Sequence, residues 1–421
     1  MLKGHKGVDV SLKIYVNCGL FGRERHRMEH VMTGLDRIRR GLWKKLEGSR
    51  LGLLANQASL DRRLNPAKEV LEQCLPGHLK ALFGPQHGFG GEDQDNMVET
   101  DHGVEEESGI PIYSLYAQNR EPLPHMLKDI DTLVVDLQDV GTRVYTFAST
   151  MLNCMKAAFR EGKKVVVLDR PNPLGGEAVE GNLLKPSFRS FVGPFTLPMR
   201  HGLTMGEMAL MFRDVYDLTG DLQVIPMSGW LRKMLWYETG LTWTMPSPNM
   251  PFPETAWVYP GQVIWEGTNI SEGRGTARPF EIFGAPFLRP KAILEGVRPD
   301  YMKGCRLQVF SFRPTFHKWK GACCRGFLIH ILDAALYRPY VTSLALLREV
   351  IARNGSSFQW AKGPYEYEYD RTPIDLILGD PSVRNALEKG VPMKEIVEKW
   401  QDRLEEYRGW RKSYLLYGAR M

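Results

Sequence analysis

The chain has 421 residues, of which 43% are hydrophobic and 25% are charged, a balance typical of a soluble globular protein rather than a disordered or fibrous one. This length predicts about two or three domains, and no apolar run reaches the roughly 18–20 residues that a membrane helix requires. The net charge of +6 is concentrated in residues 1–50, which hold 12 Lys and Arg against 5 Asp and Glu. We therefore expect neither a nucleic-acid partner nor an integral membrane segment.

Residues 1–33 read as a basic arm, which we expect to be disordered and to pack weakly. Its mildly apolar stretch, residues 10–21, is interrupted by Lys13 and Asn17, and the charged residues that follow do not resemble a signal-peptide cleavage site. The sequence thus gives no convincing secretory signal and predicts a cytoplasmic protein. Six cysteines without a CxxC pair favour reduced thiols over a disulfide framework.

Residues 34–203 alternate between helical and strand patterns. Apolar residues recur at helical spacing over 34–47, 66–73 and 145–161. Short and nearly continuous apolar runs predict four strands, within 50–58, 79–88, 131–141 and 163–176. Strands of this kind are typical of a parallel sheet covered on both faces. We predict an α/β fold, with a Rossmann-like, doubly wound and mostly parallel sheet in this part of the chain.

Residues 204–421 have a different pattern and predict a second, smaller α+β domain. Helices are predicted over 204–220, with Thr204 as the cap, and over 228–236, 340–353 and 383–407. Strands are predicted at 305–312 and 324–333. Residues 243–290 are rich in Trp, Pro and Gly with little periodicity, which predicts a long loop region packed against the first domain.

Polar side chains follow each of the four predicted strands. We call the residues that directly follow a strand its exit. The four exits carry Asn56, Gln86 with His87, Gln138 with Asp139, and Asp169 with Arg170 and Asn172. Because ligands bind at the carboxyl ends of the strands in open α/β sheets, we expect these groups to lie at one edge and to line one site. Each exit taken alone is equally consistent with an ordinary turn. No GxGxxG or Walker motif follows a strand, so no nucleotide cofactor is expected.

A second polar cluster lies in the Trp- and Pro-rich region. Glu266, Asn269, Glu272 and Arg274 fall within nine positions, near several Trp and Tyr residues. Aromatic faces beside carboxylates and amides are typical of a sugar-binding pocket. The alternative is that Glu272 and Arg274 pair only to hold their loop. No HExxH or Cys/His spacing predicts a metal site.

Six segments carry a resemblance to a known family. Their order and length resemble the NamZ exo-β-N-acetylmuramidases, a group of peptidoglycan glycosidases. This resemblance implies a Rossmann-like domain, a smaller C-terminal domain, a cleft between them, and removal of N-acetylmuramic acid from non-reducing ends of cell-wall fragments. The segments are GPQHGFGGEDQDN (84–96), DLQDVGTRVYTF (136–147), LDRPNPLGG (168–176), GPFTLPMRHGLTMGE (193–207), PSPNMP (246–251) and YPG with EGTNISEGRGT (259–276).

One position departs from the family pattern. Many members have Pro-Glu-His-Gly where this chain has Gln86 before His87, and a glutamine cannot donate a proton as a general acid. Candidate catalytic residues are therefore Glu92, on the glycine-rich loop, then Asp139, Glu266 and Glu272, with His87 as an orienting or proton-carrying group. The residues expected to bind substrate are Asn56, Gln86, Gln138, Arg143, Tyr145, Asp169, Arg170, Asn172, His201, Asn249, Asn269 and Arg274.

Several alternatives stay open at this stage. The partner is expected to be a small sugar or muropeptide whose lactyl carboxylate meets Arg143 or Arg274, since a guanidinium forks onto a carboxylate. Retaining, inverting and acetamido-assisted routes are all compatible with the sequence. A non-hydrolytic sugar-binding relative that lost its acid at Gln86 is one rival interpretation. An enzyme acting on another small acidic ligand is the other. The sequence predicts no particular oligomeric state.

Overall fold

The computed structural model describes residues 30–91, 93–94, 98–116 and 119–418 of the chain. They contain a seven-stranded sheet in the order β3-β4-β2-β1-β5-β6-β7 and a three-stranded antiparallel sheet in the order β8-β10-β9. The strands of the large sheet are β1 (Leu51–Ala55), β2 (Leu79–Gly84), β3 (Gly103–Val104), β4 (Pro111–Ser114), β5 (Thr132–Asp136), β6 (Lys164–Leu168) and β7 (Leu222–Ile225). Those of the small sheet are β8 (Ile282–Ala285), β9 (Cys305–Phe312) and β10 (Cys324–Ile331).

Helices cover both sheets. They are α1 (Gly34–Arg39), α2 (Ala67–Cys74), α3 (Pro124–Leu127), α4 (Phe147–Arg160), α5 (Met205–Val215), α6 (Pro253–Gln262), α7 (Pro290–Gly296), α8 (Pro339–Asn354), α9 (Pro373–Leu378), α10 (Pro381–Glu388), α11 (Met393–Glu398) and α12 (Gln401–Trp410). Within the described ranges, none of these helices has the length and apolar content needed to cross a bilayer.

The large sheet has the strand order of a doubly wound fold. All of its neighbouring strands pair in parallel except β3, which runs antiparallel to β4 at the edge. Leaving out β3, the order is that of the Rossmann fold, with the topological switch between β1 and β5. The predicted fold class is confirmed. The exits at Asn56, Gln86, Asp139 and Asp169 follow four adjacent parallel strands, so they lie at one edge of the sheet, as expected.

The strands are apolar throughout because both faces of the sheet are buried. On β5, Leu133 and Val135 pack into the core beneath α4 and α5, whereas Val134 packs into a second core with α1 and α2. Side chains alternate between the two faces with a period of two, so a strand between two helical layers needs apolar residues at every position. The core beneath α4 continues without a break into α6 and α8 and thereby joins the two parts of the chain.

Two predicted helices are interrupted, and one is absent. Residues 34–47 form α1 and a short 3-10 turn, separated at Gly41, whose φ of +117° does not fit a helix. Residues 383–407 divide into α10, α11 and α12, because Gly390 and Pro392 end the first of them. The helix predicted at 228–236 is wrong: turns occupy that stretch, and a 3-10 turn follows at Trp236–Thr239. The cap predicted at Thr204 is confirmed, since its hydroxyl accepts the Glu207 N–H.

The region predicted as a long loop contains α6 and β8. Nearly every residue of α6 is buried, so no polar face marks it in the sequence, and Pro260 lies in its last turn. Gly261 is required by close packing, because a Cβ there would lie 2.0 Å from the carbonyl oxygen of Pro339 at the start of α8. A helix buried on all sides has no amphipathic period, so hydrophobic periodicity does not predict it.

The boundaries predicted at residues 33 and 203 both lie within packed structure. Residues 1–29 lie outside the described residues, but Val31 is buried beside Trp230 and Met32 pairs with Ser228. The last residues of the predicted arm therefore pack against the body. The large sheet also takes β7 from beyond residue 203. The division into independently folding domains stays a prediction.

Candidate active site

A pocket lies at the carboxyl edge of the large sheet, beside the exit of β2, with about 410 Å³ of empty space including its open mouth. Every lining residue except Tyr365 is buried. The lining comes from both predicted clusters and from a third segment near residue 365. The residues are Gln86, His87, Val144, Tyr145, Thr146, Val192, Ser247, Asn249, Met250, Tyr259, Glu266, Arg274, Phe280, Tyr365 and Glu366.

Gln86 follows β2 and is fixed by three side chains. Its Nε2 donates to the Tyr116 hydroxyl at 3.0 Å and to Glu366 Oε1 at 3.2 Å, and its Oε1 accepts the Thr146 hydroxyl at 2.7 Å. His87 has a φ of +74°, which is uncommon for a residue with a side chain, and its Nδ1 lies 2.7 Å from the carbonyl oxygen of Asp93. The exit of β2 is thus a rigid turn with its amide aimed at a carboxyl group.

Glu366 is that carboxyl group, and it comes from a loop just before α9. Its side chain is 5% exposed, and its Oε2 accepts the Tyr116 hydroxyl at 2.6 Å. Burial raises the pKa of Glu366, and the nearby Glu266 carboxylate raises it further, whereas hydrogen bonds from Tyr116 and Gln86 act in the opposite direction. A buried carboxyl group with a raised pKa is a typical feature of a general acid.

Glu266 and Arg274 form the opposite side of the pocket. Arg274 Nη1 lies 2.8 Å from Glu266 Oε1 and 3.0 Å from Glu272 Oε1, so one guanidinium nitrogen joins two buried carboxylates. The Tyr365 hydroxyl donates to Glu266 Oε2 at 2.6 Å. The Phe280 ring lies 4.9 Å from the Arg274 guanidinium carbon and adds a cation–π contact.

Glu272 lies behind this pair and does not line the pocket. Lys318 donates to its Oε2 at 2.9 Å, and His317 Nδ1 lies 3.2 Å from its Oε1. Burial opposes ionisation of Glu272, yet Lys318, His317 and Arg274 together hold its pKa well below the usual value. A carboxylate held ionised by two cationic side chains and a contact with His317 is poorly suited to donate a proton. The geometry favours the alternative in which Glu272 and Arg274 pair to hold their loop.

Comparisons with known proteins agree with this architecture. Residues 51–254 match the family described as exo-β-N-acetylmuramidase NamZ, N-terminal, and residues 257–417 match its C-terminal part. The chain belongs to the NamZ exo-β-N-acetylmuramidase family. The resemblance noted from the six sequence segments is confirmed.

Individual relatives extend over nearly the whole chain. The protein is 38% identical over 388 residues to the peptidoglycan β-N-acetylmuramidase NamZ of Bacillus subtilis (strain 168), an alignment that covers 92% of this chain and 91% of that protein. Its fold is similar to crystal structures of two DUF1343 family proteins from Bacteroides fragilis. One has a TM-score of 0.82 at 32% identity and the other 0.70 at 26%, and each covers 92% of this chain and 99% of that chain.

The NamZ-family pocket contains only some of the residues expected from the sequence. Those brought together are Gln86, His87, Tyr145, Asn249, Glu266 and Arg274. Glu92 lies outside the described residues, so its role stays a prediction. Those that do not line the pocket are Asn56, Gln138, Asp139, Arg143, Asp169, Arg170, Asn172, His201, Asn269 and Glu272.

Most of the residues outside the pocket make local or structural contacts. Arg170 forms a buried two-pronged ion pair with Asp136, at 2.6 and 2.7 Å. Asp169 accepts the Thr204 hydroxyl and the Gly206 N–H at the start of α5, both at 2.7 Å. Four Asn and Gln side chains outside the pocket donate to backbone carbonyls. These bonds run from Asn56 to Pro246, from Gln138 to Pro171, from Asn172 to Leu203 and from Asn269 to Ser357.

His201 and Asp139 pair with each other away from the pocket. The Leu203 N–H donates to His201 Nδ1 at 3.1 Å, which leaves Nε2 as the donor toward Asp139 Oδ2 at 3.4 Å. The same carboxylate oxygen accepts the Gly141 N–H at 2.6 Å. This arrangement orders the turn after β5, and it brings neither side chain to the lining.

Sequence reasoning missed the segment that supplies Tyr365 and Glu366. The run Gly363 to Asp370 alternates Tyr with acidic residues after a Gly-Pro pair, a loop composition that combines aromatic surface with carboxylates. That composition was the available signal, but the segment is far along the chain from both predicted clusters. Thr146, Ser247 and Tyr259 were also missed.

Replacing Glu272 by glutamine is expected to lower the stability of the protein at neutral pH. It should also make that stability less dependent on pH in the acid range. Because the folded pKa of Glu272 is depressed, its stabilising contribution is complete above the unfolded value of about 4.5 and is lost as the pH falls below it. Thermal melts between about pH 3 and 7 would test this. A Glu272→Gln variant whose midpoint falls in acid as steeply as that of the native chain would contradict it.

Proposed function

We propose that this protein is an exo-acting glycoside hydrolase that releases N-acetylmuramic acid from the non-reducing ends of peptidoglycan fragments. Its family membership and the named activity of the Bacillus subtilis relative support the proposal. The observation that carries it is the composition of the pocket, where two carboxyl groups, Glu266 and Glu366, share one buried space with the Arg274 guanidinium.

The shape of the pocket suits the end of a glycan chain. The space lies at the carboxyl edge of the sheet and is enclosed by side chains that are nearly all buried. The buried rings of Tyr145, Tyr259 and Phe280 provide apolar surface for a pyranose ring. A small space with a buried lining accepts a terminal sugar more readily than the middle of a polymer, which supports exo-cleavage.

The two carboxyl groups fit the chemistry of glycoside hydrolysis. Glycosidases use one carboxyl group as a proton donor to the leaving oxygen, and the positive charge that develops at the sugar ring is stabilised by nearby negative charge. Glu266 is paired with Arg274 at 2.8 Å and with Tyr365 at 2.6 Å, which fixes its orientation toward the space. Glu266 thus suits charge stabilisation or activation of the nucleophile.

Arg274 supports selection of a sugar that carries a carboxylate. Its Nη1 serves both Glu266 and Glu272, while its Nε has no hydrogen-bond partner among the described residues. A guanidinium has five N–H donors, so donors remain for a substrate carboxylate. The lactyl group distinguishes N-acetylmuramic acid from N-acetylglucosamine, and we assign its recognition to Arg274.

Aryl β-N-acetylmuramides are therefore expected to be hydrolysed at least about a hundredfold more efficiently, in kcat/KM, than the matching N-acetylglucosaminides. The reason is that loss of a carboxylate partner leaves buried donors unpaired. Release of chromophore measures the preference, and a MurNAc-terminated fragment should yield free N-acetylmuramic acid first. Tight binding without turnover would instead indicate a muropeptide-binding relative, and equal turnover of both glycosides would contradict the role of Arg274.

A further inference from the structure

We propose that Glu366 is the catalytic acid of this pocket and that Gln86 is its positioning residue. The inference rests on the proposed function and answers the question raised by the glutamine in the family motif. It is drawn from the contacts between the exit of β2 and the loop before α9.

The carboxyl group of Glu366 is held at both oxygens. Gln86 Nε2 lies 3.2 Å from Oε1, and the Tyr116 hydroxyl lies 2.6 Å from Oε2. Gln86 is in turn oriented by the Thr146 hydroxyl, which donates to its Oε1 at 2.7 Å. In this arrangement the NH₂ group of Gln86 donates toward the carboxyl group of Glu366, and its carbonyl oxygen faces Thr146.

A glutamine at position 86 is consistent with an active site in this arrangement. A glutamate there would place a second carboxyl group within hydrogen-bond distance of Glu366, and two such groups cannot readily ionise together. Gln86 removes that competing site for the proton and keeps a hydrogen bond to Glu366. The acid function of the pocket then belongs to a single carboxyl group.

The surroundings of Glu366 are suited to a proton donor. Its side chain is 5% exposed, and burial raises its pKa, as does the charge of Glu266. The guanidinium of Arg120 acts in the opposite direction, as do the hydrogen bonds from Tyr116 and Gln86. The other titratable groups near it are His87, Tyr145, Tyr259, Arg274, Tyr365 and Tyr367.

The backbone of this loop is constrained where Glu366 enters the pocket. Glu366 has a φ of +46° and Tyr367 a φ of +67°, a conformation that residues with side chains rarely adopt. The guanidinium carbon of Arg120 lies 3.2 Å from the centre of the Tyr367 ring and packs against the loop. Such strain persists where the surrounding structure fixes it, and it is concentrated at functional sites.

The bond between the anomeric carbon and the glycosidic oxygen breaks, and its electron pair stays on the oxygen, which takes the proton of Glu366. Water supplies the hydroxyl group that ends on the anomeric carbon. The remaining proton of that water returns Glu366 to its acid form.

A series of aryl β-N-acetylmuramides with leaving groups of graded acidity tests the assignment. For Glu366→Gln we expect kcat/KM to fall by about 10²–10⁴ with a phenyl leaving group, and much less with 2,4-dinitrophenyl, which needs no proton to depart. The matched control is Glu368→Gln, two residues along the same loop and paired with Arg371, which should retain native rates. An equal loss on both substrates, or no loss on either, would overturn the assignment.

The Tyr116→Phe variant provides a second test that does not remove the carboxyl group. Because the Tyr116 hydroxyl stabilises ionised Glu366, its loss should raise the pKa of the acid and move the alkaline limb of kcat/KM to higher pH, by about one unit. An unmoved limb would contradict the role of Glu366. A native chain without muramide turnover would overturn the proposed function together with this inference, whereas an active chain that fails the leaving-group test overturns the inference alone.

Discussion

Replacing Arg274 by methionine is expected to abolish muramide turnover and to lower the free energy of unfolding by about 3–5 kcal/mol. The guanidinium neutralises Glu266 and Glu272, which are both buried, and methionine would leave Glu266 without its cationic partner. Glu272 would keep Lys318 and His317, so the larger electrostatic cost falls on the pocket side of the pair. Glu266 would then lose both its charge partner and its fixed position.

Chemical unfolding and turnover of an aryl muramide would measure the two effects separately. Arg274→Lys keeps one positive charge but cannot present a planar fork, so it should fold better than the methionine variant and still lose most activity. Arg306→Gln, at an exposed position on β9, is the control and should change neither property. Native-like turnover in Arg274→Lys would show that charge alone is needed at this position.

Replacing Arg143 by methionine should lower the free energy of unfolding by a comparable amount, at least about 3 kcal/mol, since each buried acceptor left without a donor costs roughly 1–3 kcal/mol. Arg143 donates through Nη1 to the carbonyls of Asn182 and Leu197 at 3.0 and 2.8 Å, and through Nη2 to Ile377 and Leu378 at 2.9 Å each. Burial lowers its pKa to about 10, so the side chain stays charged at neutral pH.

Equilibrium unfolding in urea would give the change for Arg143→Met. The control, Arg160→Met, removes an exposed arginine at the end of α4 whose ion pair with Glu121 is largely solvated, and it should cost less than about 1 kcal/mol. Because Ile377 and Leu378 end α9, the helix that follows the Glu366 loop, loss of Arg143 should also lower turnover. A variant as stable as the native chain would show that water can satisfy these carbonyls.

The contacts of Arg143 could not be predicted from the sequence. The sequence makes Arg143 and Arg274 equal candidates for binding the substrate carboxylate, since both lie in polar segments and carry a guanidinium group. The fold directs Arg143 to four backbone carbonyls and Arg274 to the pocket. Which acceptors surround an arginine depends on segments distant in the chain, and no local pattern contains that information.

Glu366 illustrates the same limit for the catalytic groups. It lies 280 positions from Gln86, and the two meet only because the loop before α9 folds over the exit of β2. The candidates named from the sequence were close to the recognised segments, and among them Glu266 reaches the pocket whereas Asp139 and Glu272 do not. Proximity along the chain was therefore a poor guide to proximity in the site.

Local sequence pattern was enough to predict four of the seven strands of the large sheet and its polar edge. A strand buried on both faces must be apolar throughout, as in β1, β5 and β6, and parallel strands must end at one edge, so the positions of Gln86 and Asp169 followed from local pattern and chain direction. Which polar groups line the pocket, and which of them stabilise the fold, depends on long-range packing. Burial raises the pKa of Glu366, neighbouring side chains lower that of Glu272, and Arg274 orients Glu266. These partners come from loops whose meeting depends on the packing of the whole chain.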